Sequence, residues 1–76
     1  MDTKQITVGV KSFTIRELKA VELDDIDFTD RKLSVKKQVQ LSTGISDDDY
    51  SNLSVKERLT IIKVINELNG FNENFQ

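Results

Sequence analysis

The sequence predicts a small, mainly helical α+β fold, in which an N-terminal β-hairpin packs with two or three helices. Residues 6–15 alternate between apolar and polar side chains, whereas the second half carries helix caps around apolar segments. The chain has 76 residues, 37% of them hydrophobic, and no cysteine, so one modest core must hold it together without disulfides. We expect one domain over residues 5–71 and a tail at residues 72–76.

The predicted hairpin rests on an alternation with a period of two. Ile6, Val8 and Val10 alternate with Thr7 and Gly9, and Phe13 and Ile15 continue the pattern after a short interruption. Such alternation of β-branched and polar residues is typical of half-buried strands. Residues 9–12 are short enough to form the turn, and the hairpin needs a partner because an isolated one is marginal in water.

An acidic segment follows the hairpin. Residues 16–23 are predicted to form a short connecting element with apolar contacts from Leu18, Val21 and Leu23. Residues 22–30 contain five acidic side chains and no basic one, which favours a solvated loop over a binding site. A calcium-binding EF-hand loop starting at Asp25 would need Gly at its sixth position and Glu at its twelfth, where this chain has Asp30 and Lys36.

Two helices are predicted between residues 29 and 53. Thr29 or Asp30 can cap the first, which runs from about residue 31 to 42 and ends before Gly44. Its apolar side chains do not form one clean stripe; they are Leu33, Val35, Val39 and Leu41. Ser46 and the following acids, Asp47 to Asp49, are typical of the first turn of a short second helix that ends near Leu53.

The last helix has the clearest signals. Ser54 and Glu57 form a capping box at its start, the Asn69–Gly70 pair ends it, and Phe71 can fold back on its last turn. Its apolar arc is unusually wide: Val55, Leu59, Ile62 and Ile65 follow one side, and Ile61, Val64 and Leu68 lie beside them. Either the helix is central and packs on both hairpin and helix, or part of the arc, with Phe71 and Phe75 beyond it, is left for another chain.

Composition argues against catalysis and against a metal or cofactor. Without histidine or cysteine, the serines have no evident activating base, and the commonest metal ligands are missing. Gly9, Gly44 and Gly70 are too far apart to build a phosphate-binding loop. We expect no catalytic, cofactor-binding or metal-binding residues. The first residues lack a secretory signal and no apolar run is long enough to cross a bilayer, so a cytoplasmic protein without membrane partners is expected.

DNA binding is the main alternative to protein binding. Residues 33–53 have the spacing of a helix-turn-helix motif, and Lys32, Lys36 and Lys37 could contact phosphates. The recognition helix would, however, begin with three aspartates at the end that should enter the major groove. A net charge of −2 gives no general attraction to nucleic acid either, so nucleic acid is not the expected partner.

Several short segments resemble small tail-assembly chaperones of bacteriophages, the group of the E protein of P2-like phages and its Mu-like counterparts. The similar segments span most of residues 5–71 and are Phe13–Leu18, Leu41–Ser46, Leu53–Ser54 and Leu68–Phe71. The resemblance implies a viral protein of the host cytoplasm that keeps the tape-measure protein soluble until the tail tube polymerises and is absent from the virion. It also implies that some members are made in a longer, frameshifted form.

The resemblance and the wide apolar arc together give a partner-binding hypothesis. A tape-measure protein is a long helical chain whose apolar stripe needs cover, and the tail-tube protein is a further candidate partner. We hypothesise that the contacts come from Leu59, Ile62, Ile65 and Phe71, with the hairpin as scaffold. Self-association through the same residues is left open.

Overall fold

Two antiparallel strands and four helices follow one another along the chain in the computed structural model, which describes residues 2–71. The elements are β1 (Thr3–Val8), β2 (Lys11–Arg16), α1 (Ala20–Asp24), α2 (Arg31–Thr43), α3 (Asp47–Ser51) and α4 (Val55–Asn69). The predicted α+β class, with a hairpin in front and helices behind, is confirmed, but the described residues form four helices where two or three were predicted, because α1 forms within the predicted connecting element. The predicted tail at residues 72–76, which includes Phe75, lies outside the described residues.

The hairpin places its apolar side chains on one face. Its register pairs Ile6 with Phe13 and Val8 with Lys11, so the turn consists of Gly9 and Val10 alone. Gly9 has a φ of 64°, which only glycine adopts without strain. The predicted turn at residues 9–12 is confirmed in part: Val10 lies in it, with a side chain that is 100% exposed, so it does not continue the strand alternation, whereas Lys11 and Ser12 belong to β2.

The connection after the hairpin is more ordered than predicted. Residues 20–24 form α1, so Glu22 belongs to a helix and not to a solvated acidic loop. The guanidinium of Arg16 donates two hydrogen bonds to the Glu22 carboxylate, at 2.9 and 2.7 Å, and the Lys19 backbone N–H donates a third at 2.8 Å. This bidentate pair ties α1 to the end of β2. Beyond it, Ile26 is buried, which anchors the remaining loop.

The inward face of α2 is largely polar. Asp30 caps the helix by accepting a hydrogen bond from the Leu33 N–H at 3.1 Å, and Gly44 ends it with a φ of 75°. Its buried residues are Ser34, Gln38, Val39 and Ser42. Three of these four are polar, and the Ser42 hydroxyl has no hydrogen-bond partner among residues 2–71. Because of this face, α2 adds only Val39 to the hydrophobic core.

The caps predicted for the last two helices are confirmed. Ser46 accepts from the Asp49 N–H at 3.1 Å, and α3 then ends at Ser51, two residues before the predicted end. Ser54 and Glu57 bond each other's backbone N–H groups at 3.0 and 2.7 Å. At the other end of α4, Gly70 has a φ of 72°, and the Phe71 N–H bonds the Asn66 carbonyl at 2.9 Å, as in a Schellman motif.

The core surrounds α4. Its five fully packed members are Ile15, Val39, Ile61, Val64 and Ile65, so α4 supplies three, β2 one and α2 one. Two ion pairs brace the hairpin against the same helix: Lys4 lies 3.8 Å from Glu67, and Lys11 lies 3.6 Å from Glu57. The expectation that the last helix is central is confirmed, since it packs against both strands and α2.

We expect the Arg16–Glu22 pair to make folding stability depend on pH. The Arg16 hydrogen bonds, and then that of the Lys19 N–H, lower the pKa of Glu22 from 4.5 to about 2. Below its ordinary pKa, the carboxyl takes up a proton more readily in the unfolded chain, so the pair's stabilisation is present above pH 4.5 and lost as the pH falls to about 2.

Urea denaturation of the natural chain and of Glu22→Gln at several pH values measures this dependence. The difference between their free energies of unfolding should narrow between pH 4.5 and 2, since other carboxylates are common to both proteins and cancel. Asp24→Asn, on the same helix, controls for the loss of one negative charge. A difference that stays constant over this range would show that Arg16 does not hold the Glu22 charge.

Candidate partner-binding site

An open apolar groove runs between the first half of α2 and the first half of α4. Val35 and Ile62 form its floor and also touch the core, and Tyr50 of α3 closes one end. Leu33 on α2 and Leu59 on α4 form the two walls. The buried residues of α2 and α4 lie on their inward faces, so the side chains that line the groove belong to the outer sides of both helices.

The walls of the groove are exposed to solvent. Leu33 is 54% exposed and Leu59 is 60% exposed, although both are large aliphatic side chains. A single exposed leucine is ordinary on a protein surface. Two that line one groove together with apolar Val35 and Ile62 form an apolar patch, which is typical of a protein-interaction site.

Basic side chains surround the groove. Arg31, Lys32 and Lys36 line it from α2, Arg58 lines it from α4, and Asp30 is the single acidic residue in the lining. These are four of the chain's eleven basic residues but one of its thirteen acidic residues. The groove is therefore a local positive region on a chain whose net charge is −2.

Most of these four basic side chains have no ion-pair partner among the described residues. Among residues 2–71, Lys36 alone of the four is paired, with its Nζ 3.4 Å from an Asp47 carboxylate oxygen. Hydrogen bonds from Gln40 and Lys36 lower the pKa of Asp47, so this carboxylate stays charged near neutral pH. Arg31, Lys32 and Arg58 make no ion pair with described residues and are available to carboxylates from outside.

The four residues of the partner-binding hypothesis do not share one surface. Leu59 and Ile62 lie in the groove. Ile65 is 1% exposed and belongs to the core, so its inclusion was wrong: it falls on the inner side of α4, against the hairpin and α2. Phe71 is half-buried against the core just past the end of α4 and is not among the residues that line the groove.

Sequence reasoning missed the other half of the groove. Leu33, Val35 and Tyr50 join Leu59 and Ile62 there, and none of the three was proposed as a contact. A signal was present, because the apolar residues of α2 do not form one stripe and some must therefore point away from the core. Which of them point outward depends on the buried polar face of α2, and the pattern alone does not identify that face.

Within residues 2–71, no three acidic side chains lie close enough to share a metal ion. The acidic residues at 47–49 lie in the first turn of α3, where Ser46 caps the helix. None of the helices in that range is long and apolar enough to span a bilayer.

Comparisons with known proteins do not identify the site, so its interpretation rests on its own geometry. No protein-family model, no curated protein and no solved structure matches this chain.

Substitutions on α4 should separate the groove from the core. Leu59→Ser should change the free energy of unfolding by no more than about 0.5 kcal/mol, because the side chain is already in water. Ile65→Ala should cost about 2–5 kcal/mol, because it leaves a cavity in the core. Urea denaturation at two protein concentrations measures both. A large, concentration-dependent loss for Leu59→Ser would mean that another copy already covers this residue.

Proposed function

We propose that this protein is a non-enzymatic tail-assembly chaperone of a bacteriophage. In this role it binds the tape-measure protein in the host cytoplasm, keeps it soluble until the tail tube polymerises, and is absent from the finished virion. The phage assignment rests on the resemblance of the segments Phe13–Leu18, Leu41–Ser46, Leu53–Ser54 and Leu68–Phe71. The binding role rests on the groove between α2 and α4.

The exposed leucine pair carries the proposal. Leu33 and Leu59 are both more than half exposed, and they line the same groove as the half-buried Val35 and Ile62. Fully burying a leucine side chain is worth about 1.5–3 kcal/mol, so a partner that covers the exposed half of each gains roughly half of that per residue. A long helical protein with a bare apolar stripe gains solubility from the same contact.

The surface outside the groove is acidic, which suits a protein that keeps its partner soluble. Most acidic residues lie outside the groove, including the exposed Asp24, Asp25, Asp48 and Asp49. A chaperone bound through its basic groove would turn this acidic surface toward solvent, and carboxylates on a surface favour solubility. The apolar stripe of the partner would then be replaced by a charged, hydrated exterior.

The helix-turn-helix alternative has less support. The second helix of the motif, α3, is only five residues long and begins with Asp47. Lys36, one of the candidate phosphate contacts, is paired with that aspartate. A gel-shift titration with salt tests this alternative, because phosphate contacts make affinity fall steeply as salt rises.

Co-expression with the tape-measure protein of the same phage tests the proposed function. We expect the tape-measure protein to stay in the soluble fraction with the natural chain and to precipitate with Leu59→Asp, which places a charge in the groove wall. Val21→Asp is the matched control, since Val21 lies on α1, is 65% exposed and does not line the groove. Circular dichroism first checks that each variant keeps the helical content of the natural chain.

Two results would contradict the proposal. One is a tape-measure protein that precipitates equally with and without the natural chain. The other is a gene neighbourhood that contains no tail-tube or tape-measure gene. If Val21→Asp abolished solubility while Leu59→Asp preserved it, the chaperone role would stand and the groove would be the wrong surface.

A further inference from the structure

We infer that the groove binds an amphipathic α-helix whose apolar stripe is flanked by acidic residues. This inference rests on the proposed binding role, but not on the phage assignment. It names the chemistry of the partner segment, which neither the resemblance nor the apolar arc of α4 specifies. Shape and charge support it separately.

The shape of the groove suits a helix. Its walls are the sides of two helices, so a third helix laid between them would bury its own apolar stripe against Leu33 and Leu59. The lining residues span nearly two turns of α2 and little more than one turn of α4, roughly 6–8 Å. About two turns of the occupant therefore lie in the groove, and a segment of about 14–18 residues supplies them within a helix long enough to form once bound.

The charge of the groove selects acidic flanks. Arg31 and Lys32 extend from the α2 side and Arg58 from the α4 side, and none is paired with a described residue. A helix with carboxylates on both sides of its stripe would meet a basic group at each wall. A helix with lysines there would place like charges together, which costs affinity and slows association.

A second copy of this chain does not meet these requirements within its described residues. Of its helices longer than five residues, α2 has no acidic residue, and the acids of α4 are Glu57 and Glu67. Both glutamates are already paired with lysines of the hairpin, at 3.6 and 3.8 Å. The remaining acidic residues lie mainly in short elements and loops, so the partner is a different protein.

Two designed peptides of 18 residues test the inference with the full-length chain. Both carry the same leucine stripe, one with glutamates and the other with lysines at the flanking positions, and binding is measured by fluorescence anisotropy at low and moderate salt. We expect the glutamate peptide to bind at least about tenfold more tightly, with an affinity that falls as salt rises.

Variants of the groove locate the binding. Leu59→Asp should weaken the glutamate peptide by about 10- to 100-fold, because a buried leucine contact is replaced by a like charge. Arg58→Glu should reduce the preference for the glutamate peptide over the lysine peptide. Val21→Asp, a matched change on α1 away from the groove, should leave binding unchanged.

Three outcomes would overturn the inference. The lysine peptide could bind as tightly as the glutamate peptide, neither peptide could bind, or light scattering could show a natural dimer that Leu59→Asp dissociates. None of them decides the co-expression test, because the tape-measure protein could still be held soluble through another surface. If co-expression fails while the glutamate peptide binds, the phage assignment is wrong and the groove chemistry stands.

Discussion

The fold depends on which sides of α4 are covered by the hairpin and by α2. This helix supplies three of the five core residues and packs against both strands of the hairpin and against α2. Its apolar arc is wider than those neighbours can shield, so Ile61 and Ile65 are sealed inside while Leu59 is left in water. In a chain of 76 residues there is no further element among the described ones to close that side.

The composition of α2 explains why the uncovered side becomes a groove. Its buried face consists of Ser34, Gln38, Val39 and Ser42, which packs closely but adds little apolar area. The apolar residues Leu33 and Val35 therefore lie toward the outer side, next to α4's exposed leucine. Basic residues near the start of the same helix give this surface its charge. A binding partner would add stability that so small a core does not supply by itself.

The sequence predicts the elements of this fold well and the surface less well. The Ser54–Glu57 capping box and the glycines at 44 and 70 set the helix limits through local backbone chemistry, which a pattern reveals directly. The position of Ile65 depends on which side of α4 the hairpin covers, a tertiary choice that a wide apolar arc does not encode. The Arg16–Glu22 pair could not be predicted for the same reason. Nothing within the acidic segment indicates that one of its carboxylates pairs with an arginine at the end of β2.

Methyl-resolved NMR of the chain, free and bound to the tape-measure protein, is the most direct test of the central claim. The account predicts that the methyl resonances of Leu33, Leu59 and Ile62 shift or broaden on binding, whereas those of Val10 and Val21, exposed elsewhere, do not. Changes confined to the hairpin, with the two leucines unperturbed, would contradict it. They would mean that the groove is a consequence of a small core and not the surface through which the protein works.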